Sequence, residues 1–119
     1  MKIPQRIRLS RRAGFNLQAE SLKLNGLTAV NCARPGIYGN PFIFGKHGDT
    51  ARCVDLFRKL CHGYQCISVD MDCIKAQERF LAKAVPKIKA GALRGKNLAC
   101  HCLLKNDCHC QPLLEIANA

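Results

Sequence analysis

Arg94-Gly95-Lys96-Asn97-Leu98-Ala99-Cys100 carries the clearest clue to the architecture of the chain. A flexible Arg-Gly pair opens it and small or apolar residues fill it, so it predicts a short strand over 96–101. A second strand is predicted at Leu27-Thr28-Ala29-Val30-Asn31-Cys32-Ala33, a small and partly β-branched run, and a weaker one at residues 3–9, where apolar and polar side chains alternate. Helical spacing fills the gaps. Asp49 or Thr50 caps a helix of about twelve residues, with Cys53, Val54, Phe57 and Leu60 on one face and Gly63 as its stop. Another helix starts near Asp70 or Asp72 and runs through Ile74, Ala76, Gln77, Phe80, Leu81 and Ala84 until Pro86 interrupts it. Pro112 to Ala117 forms a last helix, with proline in its first turn. Strands alternating with helices predict one α/β domain over residues 1–119. Its sheet is Rossmann-like and mostly parallel, in two or three layers with flanking helices. In such a sheet the loops after strands 27–33 and 96–101 open on one edge, where open α/β folds bind ligands.

The strand 96–101 runs directly into Cys100-His101-Cys102-Leu103-Leu104-Lys105-Asn106-Asp107-Cys108-His109-Cys110. Four cysteines and two histidines thus fall within eleven residues. Thiolates and imidazoles are the preferred ligands of zinc. Cysteines at i and i+2 of a strand point the same way, so Cys100 and Cys102 can share an ion while His101 faces the other side. Cys108 with either Cys110 or His109 completes the set. Zinc is the expected metal, and an iron–sulfur cluster on four thiolates is the lesser alternative. The same residues admit a thiol reading. Cys108 stands just before the final helix, whose positive end lowers a thiol pKa. His109, His101 or His62 would serve as its base.

The chain has nine cysteines, an odd number, and the Met1–Arg8 segment has no apolar run suited to a signal peptide. No stretch approaches the roughly 20 apolar residues of a membrane span. These features predict a cytoplasmic protein with reduced thiols, in which clustered cysteines signal metal or catalysis. Nineteen basic against eight acidic residues give a formal charge of +11, which favours phosphate-bearing partners. Arg6, Arg8, Arg11 and Arg12 would carry part of that attraction. The loop Arg34-Pro35-Gly36-Ile37-Tyr38-Gly39-Asn40-Pro41-Phe42 offers a binding element. Gly36 and Gly39 allow positive φ and amides facing an anion. Arg34 supplies a planar donor fork, Tyr38 a stacking ring, Asn40 a hydrogen-bonding amide, and Arg52 a cation at a helix start. The competing reading is a rigid structural loop with Phe42 plugging the core. Cys32, Cys53, Cys61, Cys66 and Cys73 read as core or incidental residues.

Three blocks resemble the domain-of-unknown-function family numbered 4326, found in bacteria and their phages. They are Arg6 to Phe15, then Arg34-Pro35 through Tyr38-Gly39-Asn40-Pro41-Phe42 with Gly48, Thr50 and Arg52, and finally Leu93 to Cys100 with Cys102, Cys108, His109 and Leu113 to Asn118. This chain has Phe15, Tyr38 and His101 where the family pattern has tryptophan, and Cys110 where it has a small residue. The resemblance therefore implies a shared ligand set of Cys100, Cys102, Cys108 and His109. A set that includes Cys110 would be particular to this chain.

Together these observations predict a small basic protein binding a phosphate-bearing ligand beside a Cys/His metal site. The ligand is a nucleotide, nucleoside derivative or nucleic acid, held by Arg34, Tyr38, Asn40 and Arg52. One alternative is a thiol- or metal-dependent enzyme acting on a nucleotide-like substrate. The His-x-Glu and Pro-Cys-x-x-Cys motifs of zinc deaminases are missing. Another alternative is a phage-type interaction protein that inhibits a host factor. The oligomeric state is left open by the sequence.

Overall fold

Three short strands make a parallel sheet in the order β1-β3-β2, so the last strand in sequence lies in the middle. They are β1 (Arg6–Arg8), β2 (Ala29–Asn31) and β3 (Asn97–Cys100). A computed structural model of the chain describes residues 3–102, 104 and 106–119. Ile7 pairs with Ala99, and Val30 with Leu98. The ladder continues past the strand ends through Leu9 N–H to Cys100 O at 2.7 Å and Cys32 N–H to Ala99 O at 2.8 Å.

All four residues of β3 are buried, which requires cover on both faces. Leu98 and Cys100 join the larger core with Phe57, Leu60 and Leu113. That core lies under α2 (Thr50–Cys61) and α5 (Cys110–Ala117). Ala99 faces the other way, into a smaller cluster with Ile7, Ala29 and Leu17 beneath α1 (Leu17–Asn25). The result is a three-layer α/β arrangement. Arg58 of α2 grips Glu115 of α5 with two hydrogen bonds of 3.0 Å. Both side chains are roughly half exposed, so the pair contributes at most about 1 kcal/mol.

Polar chemistry fixes where β3 starts. The buried Asn97 side chain accepts from Gln5 N–H and from the Asn25 amide, both at 2.9 Å. It donates to Ser21 Oγ at 2.7 Å and back to Asn25 Oδ1 at 2.8 Å. Every donor and acceptor of that amide is therefore used. One residue ties the central strand to the approach of β1 and to two turns of α1.

The cap signals locate the second helix: Asp49 accepts from Arg52 N–H at 2.8 Å, and α2 ends two residues before Gly63. Asp70 caps α3 (Met71–Arg79) in the same way, through Cys73 N–H. Pro86 does not end this helix as its chemistry predicts. The chain widens into a π-helical turn at Phe80–Ala84, with Val85 N–H reaching Phe80 O, and continues as α4 (Val85–Lys89). The wide turn moves the carbonyls that a proline ring would otherwise strike. Helix α1 carries no apolar periodicity to predict it. Its only buried residue is Ser21, while Leu22 and Leu24 are exposed. Asn16 caps its start and left-handed Gly26 closes its end.

Replacing Asn97 with Ala strands the partner groups of Ser21, Asn25 and Gln5, so urea denaturation should register a loss of about 3 kcal/mol. Unchanged stability would mean that the network holds nothing. Asp70 also anchors the buried His47 ring, whose Nε2–H donates to Oδ1 at 2.7 Å. The His47 hydrogen bond holds the Asp70 carboxyl down at about 2, against partial desolvation, with help from Cys73 N–H and Lys46. A depressed carboxyl stabilises the fold above its unfolded pKa near 3.8 and loses that effect as pH falls toward 2. The stability gap between wild type and Asp70→Asn should thus be full at pH 5 and shrink below pH 4, read by denaturant titration at each pH.

Candidate metal centre and adjoining cleft

Four potential ligands converge where β3 gives way to α5. The ligand atoms of Cys100, Cys108, His109 and Cys110 all lie within 4.8 Å of one another, and all four residues are buried. Cys100 arrives as the last residue of β3, and Cys110 as the first of α5. The elements that set the sheet register and the final helix therefore also set the distance between the two ends of the cluster. Cys100 Sγ lies 2.7 Å from Cys108 Sγ. That is longer than the roughly 2.05 Å of a disulfide bond. None of the nine cysteines is in a disulfide.

His109 is oriented for coordination. Nε2 is 2.7 Å from the backbone carbonyl of Cys32, and Nδ1 is 3.8 Å from Cys108 Sγ. A carbonyl only accepts, so Nε2 carries the proton and Nδ1 presents its lone pair to the thiols. Fixing the far nitrogen to a carbonyl is the usual support of a metal-bound imidazole. Its ring also packs edge-on against Phe57, with centroids 5.5 Å apart. In the sequence His109 is an alternative fourth ligand and Cys32 a core residue. The supporting carbonyl of Cys32 carries no side-chain signature, so no motif announces it.

Electrostatics within the cluster favour one thiolate first. Cys100, Cys102 and Cys110 can each donate into Cys108, which drives its thiol far below the ordinary range. Cys102 in turn draws Cys100 down to about 7. Cys102 and Cys110 are pushed up by the same neighbours. Burial lowers the His109 pKa, but the adjacent Cys108 thiolate outweighs it and the net shift is upward. The Cys110 backbone N–H, 3.5 Å from Cys108 Sγ, adds a further donor to that sulfur. A closely packed set of thiols and one imidazole is compatible with a tetrahedral metal site.

Cys102 lies outside the group of four whose ligand atoms all meet within 4.8 Å. The strand ends at Cys100, so the alternation that would aim Cys100 and Cys102 together stops there. Cys102 is half-buried, adjoining Cys100 and Cys108. Leu104 and Asn106, between the two cysteine pairs, are held from outside by Arg6 of β1. Its guanidinium donates to the carbonyl of Asn106 at 3.0 Å and to that of Leu104.

A cleft of about 430 Å³ opens beside this cluster. Arg34 and Asn40 of the 34–42 loop line it together with Cys100, Cys102, Cys108 and His109. The two motifs predicted to share an edge of the sheet thus face one cavity. Tyr38 packs against the core instead, where burial and then Cys32 raise its pKa. Arg52 is exposed on α2 and lies 3.9 Å from Asp55. Asn40 is engaged in holding the loop, accepting from Phe42 N–H at 2.9 Å and donating to Cys53 O at 3.4 Å. The loop glycines work differently from expectation. Neither Gly36 nor Gly39 has positive φ, and their amides close turns onto Ala33 O and Gly36 O. Glycine is required at 39 because a Cβ there would lie 2.9 Å from the Arg34 Cα.

The other cysteines are structural. Burial lifts the Cys61 thiol to about 12. Buried Gln77 brackets Cys66, accepting from its N–H at 2.8 Å and donating to its carbonyl at 2.9 Å.

A family model described as "Domain of unknown function (DUF4326)" matches residues 16–119 of the chain. No curated protein and no solved structure matches it. Only Cys66 and Cys102 among the nine cysteines are more than marginally exposed. Brief alkylation of native protein followed by peptide mass spectrometry should therefore label Cys66 first and Cys102 more slowly, since its neighbours hold the Cys102 thiol protonated. Equal labelling of Cys108 or Cys110 would contradict the buried cluster.

Proposed function

Since the chain belongs to the DUF4326 family, whose description names no activity, we propose its function from the site itself. It is a metal-centred ligand-binding protein, in which Cys100, Cys108, His109 and Cys110 hold zinc and the adjoining cleft takes a phosphate-bearing ligand of the nucleotide type. One observation carries the reading: Arg34 and Asn40 line the same cleft as three of the four metal-ligating residues. With all four coordination positions filled by buried side chains, the ion supplies folding energy rather than an activated water. It fastens the end of β3 to the start of α5 and so frames one wall of the cleft. Arg34 supplies the charge on the other wall, and the excess of +11 draws anions toward it.

Elemental analysis of protein purified without chelators should return one equivalent of zinc. Cys100→Ser, Cys108→Ser and Cys110→Ser should each release it and lower stability by more than about 3 kcal/mol. Cys102→Ser should retain the ion. Four thiolates carrying an iron–sulfur cluster would reverse that last result and give visible absorbance. Calorimetric titration with nucleoside monophosphates tests the cleft, where Arg34→Gln should weaken binding at least about tenfold without releasing zinc. Metal-free protein in which Cys108 alone governs a reaction would replace this reading with thiol chemistry.

A further inference from the structure

A second cavity lies at the carboxyl edge of the sheet, on the other side of His101. Strand β1 leads into α1, on the Ala99 face, whereas its neighbour β3 leads into α5, on the Leu98 face. Adjacent strands whose connections leave toward opposite faces open a crevice between their carboxyl ends. That switch point is where open α/β sheets take ligands. Here the crevice measures about 430 Å³ and is lined by Arg8, Leu9, Ser10, Arg11 and His101. Its two walls are bonded to each other. Arg8 is the register partner of Cys100, and Leu9 N–H donates to the Cys100 carbonyl.

The charge in the crevice is uncompensated. None of its lining residues is acidic. Among the described residues, neither Arg8 nor Arg11 forms an ion pair with a carboxylate, while Arg52 and Arg58 each do. Ser10 Oγ accepts from Arg12 N–H at 3.0 Å, which turns the chain and leaves the hydroxyl proton for another acceptor. Two arginines, a serine and a histidine line one small volume, and guanidinium forks, a hydroxyl and an imidazole N–H are the donor types that suit a tetrahedral oxyanion.

We propose that this crevice is a phosphate-binding site, taking the phosphate end of a small phosphorylated ligand. His101 lines both this crevice and the cleft beside the metal centre. A phosphate held by Arg8 and Arg11 would therefore send the rest of its ligand past His101 toward Arg34 and Asn40. That extension rests on the function proposed above, whereas the phosphate site does not.

The test is a heteronuclear NMR titration of the metal-loaded full chain with methyl phosphate, whose single phosphate group makes it a poor chelator. Amide resonances of residues 8–11 and 101 should shift, and the Arg8→Gln/Arg11→Gln double variant should weaken the dissociation constant at least about tenfold. Lys87→Gln, which neutralises an exposed cation of α4 that lines neither cavity, should leave methyl phosphate binding unchanged. Shifts confined to residues 34–40, or equal affinity in the double variant, would overturn the proposal. So would binding of a single-stranded oligonucleotide that depends on Arg8 and Arg11 without any binding of methyl phosphate, which would identify a nucleic-acid surface. A nucleoside monophosphate that binds no tighter than methyl phosphate would end the extension toward Arg34 and leave the phosphate site standing.

Discussion

The side-chain amide of Asn97 is the constraint from which the site is built. It spends all four of its hydrogen-bonding positions on Gln5, Ser21 and Asn25 at the very start of the central strand. An unsatisfied amide in that position would cost more than the small apolar cluster around Ala99 returns, so the network admits one register. With Asn97 fixed, Leu98 must face α2 and α5, Ala99 must face α1, and Cys100 must emerge on the Leu98 side. The first thiol of the Cys/His cluster is placed by an amide three residues away.

Around that thiol the protein assembles support from distant parts of the chain. The backbone of Cys32, at the end of β2, fixes the imidazole of His109. Arg6, at the start of β1, fixes the carbonyls of Leu104 and Asn106. Each strand of the sheet thus contributes one contact to the centre. A basic residue that sequence composition assigns to attraction of anions is here committed to the backbone carbonyls of Leu104 and Asn106. Charge counts describe how a molecule meets its partners, but not which cations remain available to do so.

The parts of the fold that were legible in the sequence are those in which one physical signal dominates. Helix α2 shows its apolar face and its Asp49 cap, and the strands at 27–33 and 96–101 show their small buried residues. Helix α1 was not legible because it covers the thinner face of the sheet with Ser21 rather than with a stripe of leucines. Pro86 misled because a proline rule describes an α-helix, and a single π-turn lets the chain pass it. At the site, composition located the cluster. The geometry groups His109 with Cys100, Cys108 and Cys110, held by a carbonyl 77 residues away in sequence that no motif marks, whereas the strand alternation that would aim Cys102 beside Cys100 ends at Cys100. Gly39 was legible as important, yet for close packing against Arg34 rather than for an exposed amide.

The strand order has a consequence for how the molecule is made. Because β3 lies between β1 and β2, those two strands cannot pair with each other, and no sheet exists until residues 97–100 are available. A nascent chain exposing β1 and β2 holds two unpartnered edges while the intervening helices are synthesised. Contacts such as Arg6 with Asn106 span 100 residues, so closing them is entropically slow. The Cys/His cluster and both clefts draw residues from Cys100 or beyond, so a chain still short of β3 has none of them.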